Sequence, residues 1–167
     1  TQIKVFDTHL DTAQRFAREM SEQVQVDIEV VNQPKDAVIG MDLVVTSGPI
    51  LKKPTPVIEQ DWLAEGSFAS LVDFDSYWKG EALKQADKLA TDDISQMNYY
   101  RKVGYFGDTP QPYADLGAIL TGQQPGREKA EERTMAINLG IALEDMATAI
   151  LVYKKALKLG IGTALSR

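Results

Sequence analysis

The sequence predicts an α/β fold with a mainly parallel sheet and flanking helices, and three observations carry that prediction. Short apolar runs of strand character alternate with amphipathic helical segments through the first half of the chain. The strand-like runs are short and mostly apolar, with Val26–Val31 alternating, which suits short strands covered by helices on both faces. The 167 residues, 44% apolar and 25% charged, have the make-up of one ordinary globular domain.

Taken in order, Ile3–Phe6 reads as a buried strand, and Asp7–Met20 as a helix with Leu10, Ala13, Phe16, Ala17 and Met20 on one face. Val26–Val31 reads as a second strand, Pro34–Gly40 as a helix with proline in its first turn, and Asp42–Thr46 as a third strand. This strand–helix–strand–helix–strand rhythm calls for right-handed crossovers between parallel strands. A proline-rich loop, Gly48–Pro56, leads to an expected short helix over Val57–Leu63 that ends near Gly66. Phe68–Phe74 reads as a strand, Tyr77–Gln85 as a helix and Lys88–Thr91 as a strand. Ile94–Phe106 has helical spacing that stops at Gly104 or Gly107, a short helix is expected at Ala114–Leu120, and a long one at Ile141–Leu159 is closed by Gly160.

Composition removes several classes of function. There are 24 acidic against 18 basic residues, a net charge of -6, so the clustered cations of a nucleic-acid or anionic-membrane binder are not expected. With no cysteine and one histidine, thiolate chemistry and the common zinc sites drop out, and no metal is expected.

Asp7 stands at the carboxyl end of the first strand. There a carboxylate either caps the following helix or, in dinucleotide-binding α/β domains, accepts from ribose hydroxyls and repels a 2′-phosphate. Asp73 and Asp75, at the end of the run Ser70–Asp75, would share one side if the strand stayed extended. Asp75 then either caps the next helix or stands as a partly desolvated acid or base at the ligand-binding edge of the sheet. Tyr77 and Trp78 beside it read as surface aromatics over that edge. The glycines of Tyr113–Gly117, Leu120–Gly122 and Gln124–Arg127 suit turns, with Arg127 a possible partner for an acid or a phosphate. His9 reads as a solvated loop residue.

The ordered set Asp42–Thr46, Leu63–Ser67, Asp75 with Lys79 and Glu81, Ala114–Gly117, Leu120–Gly122, Pro125–Arg127, Asn138–Ala149 and Gly160–Thr163 resembles the ornithine cyclodeaminase and μ-crystallin family. The match runs over essentially the whole chain, aligned to the second half of a family member. The resemblance implies a Rossmann-like domain that binds NAD rather than NADP, with hydride transfer at the α-carbon of an amino or cyclic imino acid. It implies Asp75 as the catalytic carboxylate and Asp7 as the ribose ligand. Ser47, Gly48, Val72, Asp73, Phe74, Lys79 and Asn138 would contact the cofactor, and Ser76 and Leu139 the substrate. A crystallin-like protein that binds the cofactor without turnover is the alternative. The chain departs from the family at Asp73–Phe74, where many members have two glycines, and at Tyr77–Trp78, where many have Pro-Gly.

Thr1 enters a strand almost at once. The expectation is that residues 1–167 form most of a Rossmann domain plus a C-terminal segment of a longer, cytoplasmic and homodimeric protein. The first strand, its Gly-rich loop and the substrate and dimerisation domain would lie outside this chain, leaving it inactive alone.

Overall fold

A computed structural model describes residues 1–163 and residue 165. The elements run β1 (Ile3–Val5), α1 (Leu10–Val24), β2 (Ile28–Val30), α2 (Pro34–Val38), β3 (Leu43–Thr46), β4 (Phe68–Leu71), α3 (Gly80–Leu83) and β5 (Lys88–Thr91). They continue as α4 (Ile94–Lys102), β6 (Ala114–Asp115), α5 (Leu116–Leu120), β7 (Thr134–Ile137) and α6 (Ala142–Leu159). Every strand pairing is parallel, so the α/β class read from the alternation is what the chain adopts. β1 and β2 form a two-stranded sheet, and the other five lie in the order β3-β4-β7-β5-β6.

The core gathers on the larger sheet. Ala69, Leu71, Leu89, Met135 and Ile137 are buried in the strands, and Val38, Ile58, Leu63, Trp78, Leu83, Met97 and Phe106 close over them. Burial of these side chains is the main stabilising term, the Val, Leu, Ile, Met and Phe residues each worth roughly 1.5–3 kcal/mol. In α1 the chain buries Ala13 and Ala17 while Leu10 and Phe16 stay about half exposed. α6 buries none of its residues and exposes Leu143, Met146, Leu151, Tyr153 and Leu157.

Four expectations are corrected, the first that Ala114–Leu120 is helical throughout: Ala114–Asp115 pairs with β5 as β6 and the helix starts at Leu116. Val57–Leu63 is not helical: Ile58 bridges to Trp78, and the N–H groups of Val57 and Ile58 both donate to the Tyr77 carbonyl at 2.9 and 2.8 Å. That extended pairing satisfies the backbone groups a helix would have used. The strand expected through Phe74 stops at Leu71, and the following helix is the single turn Gly80–Leu83. β7, absent from the sequence reading, is the central strand of the larger sheet.

Candidate functional site

The site begins where β3 and β4 end side by side. Val72 N–H donates to the Thr46 carbonyl at 2.8 Å, which carries the pairing one residue past β4. The chain then turns sharply, with Ser76 N–H on the Asp73 carbonyl at 3.2 Å and Phe74 at φ +61°. A left-handed phenylalanine is uncommon and costs on the order of 1 kcal/mol. Its ring is held by Tyr100, Tyr105 and Phe106 at centroid separations of 5.0, 5.6 and 4.9 Å, contacts that offset the cost.

This turn overturns the expectation that Asp73 and Asp75 project to one side. Asp73 points inward and is fully buried. Its Oδ2 accepts from Tyr77 N–H at 3.2 Å and its carboxyl is hydrogen-bonded to the Thr46 side chain. Oδ1 has no partner among the described residues. Burial pushes the Asp73 carboxyl above the usual range, more strongly than the Thr46 and Tyr77 hydrogen bonds pull it down.

Asp75 points the other way, into a cleft of about 310 Å³ lined by Lys52, Pro54, Tyr105, Asp108 and Thr109. Its Oδ2 accepts from Thr109 Oγ1 at 3.3 Å. Burial raises its pKa as well, and the Thr109 hydroxyl and the Arg101 charge oppose that rise. Arg101 donates to the carbonyls of Phe106, Thr109 and Pro110 at 2.8–3.0 Å, and so fixes the loop that presents Thr109. A half-buried carboxyl whose pKa burial holds above the usual range, against the hydrogen bonds it accepts, takes up and releases its proton at higher pH than an ordinary aspartate. Asp75 caps no helix, because the N-cap of α3 is Lys79.

Asp7 is not a cap either. The N-cap of α1 is His9, without a side-chain cap bond, and Asp7 Oδ1 instead accepts from His9 N–H at 2.7 Å. The Asp7 side chain stays 37% exposed and can accept further donors. Ser47 and Gly48 are exposed at the end of β3. The ring of Tyr77 lies so close to Gly48 that a Cβ there would stand 2.2 Å from the phenolic oxygen. Burial, then the charges of Asp73 and Asp7, raise the Tyr77 pKa, so Asp7, Gly48 and Asp73 share one neighbourhood around that ring.

The remaining residues singled out in the sequence are spread over the same edge. Val72 is half exposed. Ser76 is buried, and its Oγ accepts from Leu51 N–H at 3.2 Å. Lys79 Nζ pairs with Glu59 at 2.5 Å. Asn138 Nδ2 donates to Ser70 Oγ at 3.0 Å, and Leu139 N–H to Asp92 Oδ2 at 2.8 Å. Phe74 and Trp78 are core side chains, so Trp78 is not the surface aromatic its neighbours suggested; its indole N–H donates to Thr46 Oγ1 at 3.0 Å.

Arg127 pairs with no acid among the described residues; it donates to the carbonyls of Gly66, Ser67 and Ala130 and to Thr134 Oγ1. The His9 side chain is solvated, 84% exposed. A second cleft, beyond β5 and β6, is ringed by Asp92, Asp93 and Asp115. All three carboxylates are occupied with backbone N–H groups, Asp93 and Asp115 as N-caps. Thr46, Arg101 and Thr109 escaped the sequence reading. Thr46 carried a signal in its place at a strand end; Thr109 reaches Asp75 from a loop with no periodicity, and Arg101 acts on it from α4 through that loop.

Among the described residues no group of three His, Asp or Glu side chains is arranged to hold a metal ion, and no helix is long and apolar enough to cross a membrane.

Comparison with known proteins agrees with this fold. The chain is 31% identical over 173 residues to N-((2S)-2-amino-2-carboxyethyl)-L-glutamate dehydrogenase of Staphylococcus aureus, covering 99% of this chain and 50% of that protein. It superposes with a TM-score of 0.81 on Thermococcus litoralis Delta(1)-pyrroline-2-carboxylate reductase in complex with NADH and L-proline. That pair is 27% identical, over 97% of this chain and 52% of the other. An archaeal alanine dehydrogenase dimer with bound NAD gives a TM-score of 0.78 at 25% identity, over 99% and 52%. The chain thus spans about half the length of the curated relatives it matches. The family model described as ornithine cyclodeaminase/mu-crystallin matches residues 1–160, and with a match of that extent this chain belongs to the ornithine cyclodeaminase/mu-crystallin family.

Proposed function

We propose that the chain is the dinucleotide-binding half of an NAD-dependent oxidoreductase that works at the α-carbon of an amino or imino acid. The observation that carries the reading is Asp75: a half-buried carboxyl with an elevated pKa, accepting from the Thr109 hydroxyl and facing a cleft at the carboxyl edge of a parallel sheet. Open α/β sheets bind their ligands at that edge. The complexes of its relatives with NADH and with NAD support the cofactor class.

The residues present fit the ribose end of such a cofactor. Asp7 has an acceptor free beyond its bond to His9, and the exposed Gly48 lets a ligand approach the backbone closely. A carboxylate there receives two ribose hydroxyls and repels a 2′-phosphate, which favours NAD over NADP. The nicotinamide, when bound, supplies the carbon that exchanges hydride. Asp75 holds or accepts the proton that the substrate nitrogen gains or loses, and its anion stabilises the positive charge of an iminium. Thr109 orients the carboxyl, and Arg101 keeps Thr109 in place.

In the whole protein, further sequence is proposed to supply the phosphate-binding loop and a substrate-binding body. The exposed apolar residues of α6 support such a body packing there. A homodimer is proposed from the dimeric alanine dehydrogenase relative, and a cytoplasmic setting from dependence on an intracellular coenzyme. A cyclodeaminase reaction, in which the coenzyme is regenerated within one turnover, is the lyase form of the same chemistry.

The test is to measure NADH and NADPH binding by the whole protein, then turnover with alanine, proline, ornithine, lysine and cyclic imines. Tighter NADH binding with oxidation or reduction of at least one substrate is expected. A marked preference for NADPH would remove the role given to Asp7. NADH binding without turnover of any substrate would move the protein to the crystallin-like reading.

A further inference from the structure

The residue that joins the two halves of the cofactor edge is Tyr77, and nothing in its family's pattern requires a tyrosine there. Its backbone is committed: the N–H donates to Asp73 Oδ2 at 3.2 Å, and the carbonyl accepts from Val57 and Ile58. Its hydroxyl has no hydrogen-bond partner among the described residues. The ring is half-buried against Gly48, close enough that only glycine leaves room for it. Glycine at position 48 does not relieve a positive φ; what it provides is space for the phenol.

No group among the described residues accepts from this phenol, so its proton is available to an acceptor that arrives from outside. Burial, then the neighbouring Asp73 and Asp7, keep the proton on the oxygen, which suits a donor and not a phenolate. Asp7 is an acceptor aimed at ribose hydroxyls, and Tyr77 stands beside it as the complementary donor. An oxygen-rich ligand with both donors and acceptors, laid from Asp7 across Gly48, would satisfy both.

We propose that Tyr77 is a cofactor-binding residue particular to this protein, its hydroxyl donating to a ribose or phosphate oxygen of the dinucleotide where that ligand passes Gly48. The assignment rests on the nicotinamide reading given above and adds a contact to it. It also gives a reason for the departure from Pro-Gly: the tyrosine replaces a turn-forming residue with a donor.

The experiment compares the whole protein with its Tyr77→Phe and Tyr77→Ala variants, using NADH fluorescence and calorimetric titration with ADP-ribose, together with the thermal midpoint of each ligand-free protein. Tyr77→Phe keeps the ring packing and removes one donor. It is expected to weaken NADH and ADP-ribose alike by roughly three- to tenfold, the range of one hydrogen bond, at an unchanged thermal midpoint. Tyr77→Ala is expected to weaken both ligands at least as much.

Unchanged or tighter binding by Tyr77→Phe would overturn the assignment, since the phenol would then merely fill or obstruct the groove. Weakened NADH with unchanged ADP-ribose would overturn it as well, by placing the contact at the nicotinamide. If the unaltered protein binds ADP-ribose and NADH normally, any such failure belongs to Tyr77 alone. Absence of binding by the unaltered protein would overturn this assignment and the nicotinamide reading together.

Discussion

The indole of Trp78 and the carboxyl of Asp73 meet on a single hydroxyl, that of Thr46: Trp78 Nε1 donates to Thr46 Oγ1 at 3.0 Å, and the same side chain is hydrogen-bonded to Asp73. This junction ties the end of β3 to the turn after β4. Trp78 is almost completely buried, so truncation leaves a large void and strips Thr46 Oγ1 of its indole donor. Trp78→Ala is expected to lower unfolding stability by about 3–5 kcal/mol. Trp78→Phe, which loses the hydrogen bond and less volume, is expected to cost about 1–2 kcal/mol. Urea denaturation at constant m-value measures both.

Asp75 is the group on which turnover should depend. Asp75→Asn keeps the shape of the side chain and its contact with Thr109 but can no longer exchange a proton. In the whole protein it is expected to lower kcat by about 10²–10⁴ while NADH affinity stays within a factor of two. An equal fall in NADH affinity would show that the carboxyl positions the cofactor and not the proton.

The pH profile follows from the same carboxyl. Burial favours its neutral form, so deprotonation is completed at higher pH than for an ordinary aspartate. In the direction where Asp75 must act as a base, kcat/KM should rise with pH through a limb lying above the usual carboxylate range. That limb should vanish in Asp75→Asn. A profile whose acid limb is identical in both proteins would assign the ionisation to another group.

Asp73 makes a prediction about stability. Its folded pKa is raised, so the native state holds its proton more tightly than the unfolded chain does. The native state therefore loses stability as pH rises from the ordinary aspartate value through the elevated one, and the loss stays at neutral pH. Asp73→Asn removes this titration. Chemical denaturation across pH 3–8 should show the variant gaining on the parent sequence as pH rises, with a flatter curve. Parallel curves would show that Asp73 titrates normally.

Arg127 was open to a ligand-binding reading, and its hydrogen bonds argue for a structural one. Its four acceptors tie the start of β4 to the segment entering β7. Arg127→Ala is expected to cost about 1–2 kcal/mol of stability and to leave cofactor affinity unchanged. Gly66→Ala should destabilise the same corner, because φ is +76° and a Cβ would stand 2.7 Å from the Ala130 carbonyl oxygen. Titration calorimetry alongside denaturation separates the two roles.

Much of this was legible in the order of residues, and the exceptions share a cause. The alternation of Ile3–Val5, α1, Ile28–Val30, α2 and Leu43–Thr46 is local, so the parallel α/β class could be read from it. Thr134–Ile137 could not, because four residues between charged and turn-forming neighbours show no period, and only burial on both faces of a sheet makes them a strand. Val57, Ile58, Trp62 and Leu63 are spaced as a helix would space them, yet the Tyr77 carbonyl, some twenty residues on, claims two of their N–H groups. At the site, Asp7 and Asp75 stood at the ends of strand-like runs and were visible. Thr109 reaches Asp75 from a loop whose course no local pattern foretells, and Arg101, on α4, fixes that loop.

Phe74 carries no chemistry of its own, yet its left-handed backbone decides where two carboxyls go. In an extended strand, residues two apart share a face; the reversal at Phe74 sends one acid into the interior and the other to the cleft. The aromatic rings of Tyr100, Tyr105 and Phe106 thus act as a mould for the reacting edge although none of them needs to touch a ligand. Selection for altered reactivity could therefore draw on repacking of that mould, turning Asp75 by a few degrees while every residue at the cofactor edge stays the same.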